Sequence, residues 1–397
     1  MIKKKRFFSI VLCVLLVIFT SSCTILNSMA QTGGKTAVPD APTFDTPGRS
    51  EAIYDGSSIS DVWTVPATVT IDGRTISADV TFLDLSDLYT PLTDFQLLES
   101  FTCLTTLILH TTQIVDITPL SSLKSLEHLD LSFTQVNDIT PLKALTNLTS
   151  LDLGNTQVSD IAPLSSLTNL TQLSLYYTKI SDLTPMQSLT NLTEFYLSST
   201  QISDISPLQS LTSLESLDLS SNRVNDITPL MALSNLEILD LTDTDISDIT
   251  PLETLSHLTA LTLTHTNISD ITPLKSLQNL ESLNICTTQV NDWSPLSKLA
   301  NLTSLDLTSS NIIDLEPLAT LTNLTELILL NTQVSDLTPL ESLTNLTYLD
   351  LSATAVSDLG ALKSLANLTR LYLNGVSLTA SQIADFQSAL PNCRIWK

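Results

Sequence analysis

Positive charge is scarce in this chain of 397 residues: 17 Lys and Arg stand against 41 Asp and Glu, for a formal net charge of −24. Four of the cations, Lys3, Lys4, Lys5 and Arg6, crowd the N-terminus, where no acid precedes Cys23. A product beginning at Cys23 would keep 13 basic and 41 acidic side chains and carry −28. Nucleic-acid phosphates are held by clustered Lys and Arg, so this balance argues against nucleic acid as a partner. It points instead to a soluble acidic surface that suits cationic partners or bridging cations. Cysteine is also sparse: beyond Cys13 and Cys23 only Cys103, Cys286 and Cys393 remain, odd in number and far apart, which excludes a disulfide framework. The single long apolar stretch, Phe7–Phe19, is too short to span a bilayer comfortably. Aromatic residues make up only 5%, so any place where they gather carries information.

The N-terminus has the form of an export signal, with a basic segment, the apolar stretch and then Thr20-Ser21-Ser22-Cys23. Small residues directly before a Cys resemble a bacterial lipobox. That resemblance implies a signal peptide over 1–22 and lipid attachment at Cys23, tethering the product to the outer side of a membrane in a bacterial cell envelope. The Thr three places before Cys23 departs from the usual Leu, and cleavage after Ala30 within Ser28-Met29-Ala30 is the rival reading. Residues 23–67, rich in Thr, Ser, Pro, Gly and Asp without periodicity, read as a flexible stalk. A coil of roughly 40 residues has a reach of about 35 Å.

The rest of the chain repeats. Leu104, Leu126, Leu148 and their successors to Leu368 recur every 22 residues without insertion or deletion. The unit is L-x-x-L-x-L-x-x-T-x-[VI]-x-D-[IL]-x-P-L-x-x-L-x-x, and its seven apolar places are filled at all 84 positions of twelve full units. Met186, Phe195 and Trp293 are the only ones outside Leu, Ile and Val. Leu-x-Leu alternates with period two, so it is a strand with its leucines turned inward. The return path is about a dozen residues with Pro at eleven of twelve equivalent places, Pro119 to Pro339, Ala361 being the exception. Proline and the short length exclude α-helices there and predict 3₁₀ turns. One unit cannot bury enough apolar surface to offset ordering 22 residues, so the coils are stable only when stacked.

This pattern resembles the leucine-rich repeats, in particular the 22-residue bacterial class found in internalins. The resemblance covers Phe82 to Cys393. It implies an α/β solenoid: a right-handed horseshoe with a parallel β-sheet on the concave face and 3₁₀ turns on the convex face. The domain reading is an N-terminal cap and irregular first repeat over 68–103, repeats over 104–375 and a C-terminal cap over 376–397. Within the first, Thr68 to Ile76 with Asp72-Gly73 at its centre reads as a hairpin, and Phe82-Leu83-Asp84-Leu85 as the first strand of an array whose first repeat is two residues longer than the others. In the last, Thr379-Ala-Ser-Gln382 has the form of a helix-capping box for a helix from Ala380 to Ala389, and the segment after Pro391 reads as a closing strand.

The thirteenth place is Asp in all twelve full units, Asp116 through Asp358. Stacked carboxylates about 5 Å apart repel, so a local bond must hold each one. The expected bond is from a backbone N–H two or three residues on, opening the turn. A calcium ladder needs closely spaced acids and glycines within each turn, and the repeat pattern here supplies one acid and no glycine. The ninth place, Thr in ten units with Asn222 and Ser310 in the others, is expected to form a buried hydroxyl ladder. The Asn-Leu-Thr triplets at Asn147, Asn169 and Asn191 read as repeat consensus rather than glycan acceptors.

Recognition belongs on the outward-facing strand positions, where the core imposes nothing. Their central column holds Asp130, Asp152, Asp218, Asp240, Asp306 and Asp350. Two clusters break this pattern and are the candidate ligand-binding residues: Phe133, Tyr176, Tyr177, Glu194 and Tyr196, and, near the end, Ile328, Leu330, Tyr348, Arg370 and Tyr372. Packing against the C-terminal cap is the plain alternative for the second. The four His lack ligand spacing, and no Ser–His–acid set can be argued from so regular a stack, so no metal, cofactor or catalytic residue is expected. The expectation is a non-catalytic, monomeric binding protein, a cell-surface adhesin or receptor for a protein ligand. A carbohydrate-binding envelope protein, or a structural spacer, is the alternative.

Overall fold

The computed structural model describes residues 68–71, 73–86 and 95–397. The segment read as signal peptide, Cys23 and the stalk lie outside them. Strand β1 (Thr68–Ile71) pairs antiparallel with β2 (Arg74–Ser77), Ile71 opposite Arg74. Gly73 supplies the positive φ, 73°, that this two-residue turn requires.

Strand β3 (Phe82–Asp84) then opens a parallel sheet of fifteen strands in sequence order. It pairs 24 residues ahead with β4 (Thr106–Ile108), Leu83 beside Leu107, as the longer first repeat predicts. Twelve strands follow at 22-residue intervals, β5 (His128–Asp130) to β16 (Arg370–Tyr372), each in register with its neighbour, and β17 (Arg394–Trp396) closes the series. The return path is the expected 3₁₀ turn, for example Thr118–Ser122 with Pro119 at its start. All seven apolar places of every unit are buried, and they join into one continuous core. At the C-terminus helix α1 (Ala380–Ala389) begins at a capping box: Gln382 N donates to Thr379 Oγ1 at 3.3 Å and Thr379 N to Gln382 Oε1 at 2.9 Å. Its Phe386 is fully buried in the core.

The thirteenth-place acids do what their recurrence implies. Oδ1 of all twelve accepts the backbone N–H two residues on, from Thr118 N to Asp116 at 2.8 Å through Gly360 N to Asp358 at 3.0 Å.

The ninth place differs from expectation. Its hydroxyls are mostly buried but do not ladder between coils: Thr112 donates to Leu109 O at 2.6 Å and Thr134 to Leu131 O at 2.6 Å, each within its own unit. The links between coils at this place come from Asn222, whose Oδ1 accepts from Thr200 Oγ1 at 2.6 Å and from Ile202 N at 3.3 Å and whose Nδ2 donates to Leu197 O at 2.8 Å, and the Oγ of Ser310 is buried without a partner. A β-branched hydroxyl three residues past a carbonyl reaches that carbonyl first, which satisfies it locally.

Ladders between coils run elsewhere. Along the second place Thr149 donates to Glu127 O, Thr171 to Thr149 O and Thr193 to Thr171 O, all at 3.1 Å. Along the last place of the unit, Asn147 Nδ2 donates to Lys124 O at 3.0 Å and Asn169 to Thr146 O at 2.9 Å. Asn191, Asn235, Asn279, Asn301, Asn323, Asn345 and Asn367 repeat that bond to the preceding coil. The Asn-Leu-Thr consensus is therefore a pair of load-sharing ladders.

Candidate functional site

The residues flanking each inward leucine form the wall of the sheet opposite the core. Twelve successive residues just past the strands, Thr111, Phe133, Asn155, Tyr177 and onward to Ala353, have φ of 52–58°. This left-handed conformation costs any residue but glycine on the order of 1 kcal/mol. It recurs because it extends the parallel ladder: Leu109 N donates to Asp130 O at 2.9 Å, and Thr111 N, one step beyond, to Ser132 O at 3.0 Å. Nothing in the one-dimensional pattern shows that this place carries a strained backbone, since no glycine marks it until Gly375.

The structure brings three of the first cluster's rings into one corner. Phe133 meets Tyr176 edge-on, centroids 6.2 Å apart and planes at 63°, and Tyr176 meets Tyr177 at 6.3 Å and 88°. Phe133 is 49% and Tyr177 63% exposed, although both occupy the left-handed places. Tyr176 lies over Gly154 of the preceding coil, where any Cβ would collide with its ring. On the next strand, β8 (Glu194–Tyr196), the Tyr196 hydroxyl donates to Glu194 Oε2 at 3.0 Å.

The acids of the central column are not left to recognition alone, as the sequence suggests. Oδ1 of Asp130, Asp152, Asp218, Asp240, Asp306 and Asp350 accepts the N–H two residues on, at 2.8–2.9 Å, which ends the strand as the thirteenth-place acids begin the turn. Two pairs are neighbours in register, Asp130 with Asp152 and Asp218 with Asp240. Burial, with Asp130 alongside, raises the Asp152 carboxyl to about 6, and burial with Asp218 alongside raises Asp240 to about 7. Asp218 is raised as well, by burial.

The second cluster is a stack. Arg370 lies 4.8 Å over the Tyr348 ring and 3.7 Å from Glu326 Oε1. Tyr348 and Tyr372 are 5.3 Å apart, and Tyr372 lies flat on Trp396 at 4.5 Å and 8°. Tyr372 therefore packs directly on the closing strand, with Tyr348 and Arg370 stacked behind it and Ile328 and Leu330 half-buried alongside. Trp396, the last member, escapes sequence reasoning because only the register of β17 puts it on this face.

Among the described residues no three His, Cys, Asp or Glu side chains gather in a way that could hold a metal ion. Cys103 is exposed, whereas Cys286 and Cys393 are buried, which pushes both thiols up, Cys393 to about 11. An open groove of about 610 Å³ beside the sheet is lined by Glu237, His257 and Asn279 among others and includes none of the candidate ligand residues.

A fifteen-stranded parallel sheet with a 3₁₀ turn on each return defines a leucine-rich-repeat solenoid. The model for leucine-rich repeats in two copies matches residues 124–166, 146–188, 190–230, 234–276 and 322–364. An internalin of Listeria monocytogenes, InlF, is 30% identical and superposes with a TM-score of 0.71 over 82% of this chain and 90% of its own. The chain belongs to the leucine-rich-repeat family, and internalins are members to which it is similar. A leucine-rich-repeat protein of Leptospira interrogans, at 24% identity and a TM-score of 0.68 over 80% of this chain and 96% of its own, shares the fold. So does the functional domain of InlJ from Listeria monocytogenes, at 21% identity and 0.53 over 76% and 75%. No curated protein matches this sequence.

Proposed function

We propose that this chain is a non-catalytic binding protein, a cell-surface adhesin or receptor that recognises a protein partner on the sheet wall around Phe133, Tyr176, Tyr177, Glu194 and Tyr196. One observation carries the reading. Phe133 and Tyr177 occupy backbone places that penalise side chains, yet both stay about half exposed, their rings set edge to face with Tyr176. Core packing does not explain large apolar rings kept in water at a backbone cost, whereas a partner that covers them does. The fold supports this, because a stacked array offers a long rigid face on which only the outward residues vary.

A tether through Cys23 would display that wall at a bacterial surface. Labelling with radioactive palmitate should mark the chain and should fail with Cys23→Ser; an unlabelled chain discards the anchor. For the site, purified surface proteins and a glycan array are each offered to the full chain and to a variant with Tyr176, Tyr177 and Tyr196 changed to Ala. A protein captured by the first and lost by the variant, whose melting temperature is unchanged, is the expected result. Capture of glycans alone would replace the protein ligand with a carbohydrate, and binding indifferent to the three tyrosines would remove the site.

A further inference from the structure

Basic side chains are almost missing from the wall itself. Over the strands β4 to β16, the outward positions and the left-handed row hold nine carboxylates, Asp130, Asp152, Glu194, Asp218, Asp240, Asp243, Asp306, Glu326 and Asp350. The same positions hold one Lys or Arg, which is Arg370. Of the other cations of the array, Lys143, Lys275 and Lys298 lie on the return turns, while Lys179 and Arg223 lie two residues past the left-handed row, off the wall positions. Opposite charge has been kept off one face and left on another.

Arg370 also shows what a cation does when it is on this wall. Its guanidinium lies over the face of Tyr348, with the Glu326 carboxylate at its side. An aromatic face attracts a cation through its quadrupole, and a flanking carboxylate adds directional hydrogen bonds. The same two components recur around the aromatic corner, in Tyr176, Tyr177 and Tyr196 with Glu194, and no Lys or Arg occupies a wall position from His128 to Asp243. The Asp218–Asp240 carboxyls nearby are partly removed from water without a compensating cation.

We propose that the partner segment seated on this wall is basic, and that it delivers an Arg or Lys side chain to the Tyr176–Tyr196–Glu194 corner in the arrangement Arg370 adopts over Tyr348. This rests on the reading of the wall as a binding face and names the chemistry of its ligand. Along the column from Asp130 to Asp240, six strands at about 4.8 Å spacing span roughly 24 Å. An extended peptide of about seven residues covers that distance, so a short segment with spaced cations meets both acid pairs and the corner together.

The test is to pan a random twelve-residue peptide display library against the full chain at 150 mM NaCl, then to measure the enriched peptides by fluorescence anisotropy. Clones rich in Arg and Lys are expected. Glu194→Gln and Tyr196→Leu should each weaken them by about five- to tenfold, and Tyr196→Phe, which keeps the ring, by less. Glu253→Gln with Glu341→Gln, two acids on the return turns, should leave them unchanged. Basic clones weakened as much by that pair as by Glu194→Gln would show unspecific attraction to an acidic protein and overturn the proposal. Neutral or acidic clones that still depend on Tyr176 would overturn it while leaving the binding face standing. Clones insensitive to every wall substitution would overturn both.

Discussion

Gly154 and Tyr176 stand on adjacent coils at the same place in the repeat, and the ring of one fills the space that a side chain on the other would need. Gly154 has no positive φ, so its backbone would accept alanine; the tyrosine would not. Gly154→Ala should swing the ring away, separate it from Phe133 and reduce ligand binding as far as Tyr176→Ala does. Because the ring lies on the surface, the cost in stability should stay below about 1 kcal/mol. Near-ultraviolet circular dichroism and a melting curve check the two halves; unaltered tyrosine dichroism would refute the packing account.

The Asp218–Asp240 pair predicts a loss of stability as pH rises. A carboxyl whose folded-state pKa lies above its unfolded value of 3.8 contributes fully below pH 3.8 and loses that contribution as pH climbs through about 7, where Asp240 ionises. Asp240→Asn keeps the acceptor for Thr242 N and removes the charge, as Asn284 does naturally two strands on for Cys286 N. The variant should be more stable than the parent at pH 8, by on the order of 1 kcal/mol, and equal to it at pH 4. Denaturant melts at the two pH values decide it.

The caps of the turns predict the opposite trend at lower pH. Hydrogen bonds from the hydroxyl and N–H of Thr250 hold the Asp248 carboxyl below its usual value, and Thr272 does the same for Asp270. Their stabilisation is present above pH 3.8 and lost as pH falls through the depressed folded values. Asp248→Ala should therefore lower the melting temperature at pH 7 and by less at pH 2.5. The parent should melt highest between about pH 4 and 6, where both trends are favourable; a maximum above pH 8 would contradict both assignments.

The asparagine ladder predicts an effect at a residue that touches no core. Asn191 Nδ2 donates to Thr168 O at 2.9 Å across the junction of two coils. Asn191→Ala should cost about 1 kcal/mol and raise hydrogen exchange at that junction above that at its neighbours. Uniform exchange along the array would mean the ladder contributes nothing.

Much of this was legible beforehand because repetition multiplies weak signals. One Leu-x-Leu says little, but thirteen such segments at a fixed spacing, eleven of them strictly Leu-x-Leu, fix strand, register and buried face together. The proline in the return path announced the 3₁₀ turn, and Thr379 with Gln382 announced the helix that follows. The hydrogen-bond partners were harder to read. Thr112 and Thr149 are both threonines at constant places, yet one bonds inside its coil and the other to the coil before. Which carbonyl a hydroxyl reaches depends on backbone direction, and spacing alone does not carry that.

The sequence by itself determined that the coils stack, which faces are buried and that the surface is acidic, because burial of a periodic apolar set has one low-energy solution. Only the tertiary structure decided that Phe133 and Tyr177 sit on a left-handed backbone, that Gly154 makes room for Tyr176, and that Trp396 ends the stack begun at Tyr348. The reason is that these relations join residues some 20 or more positions apart through the geometry of neighbouring coils. A pattern read along one chain has no coordinate for that distance.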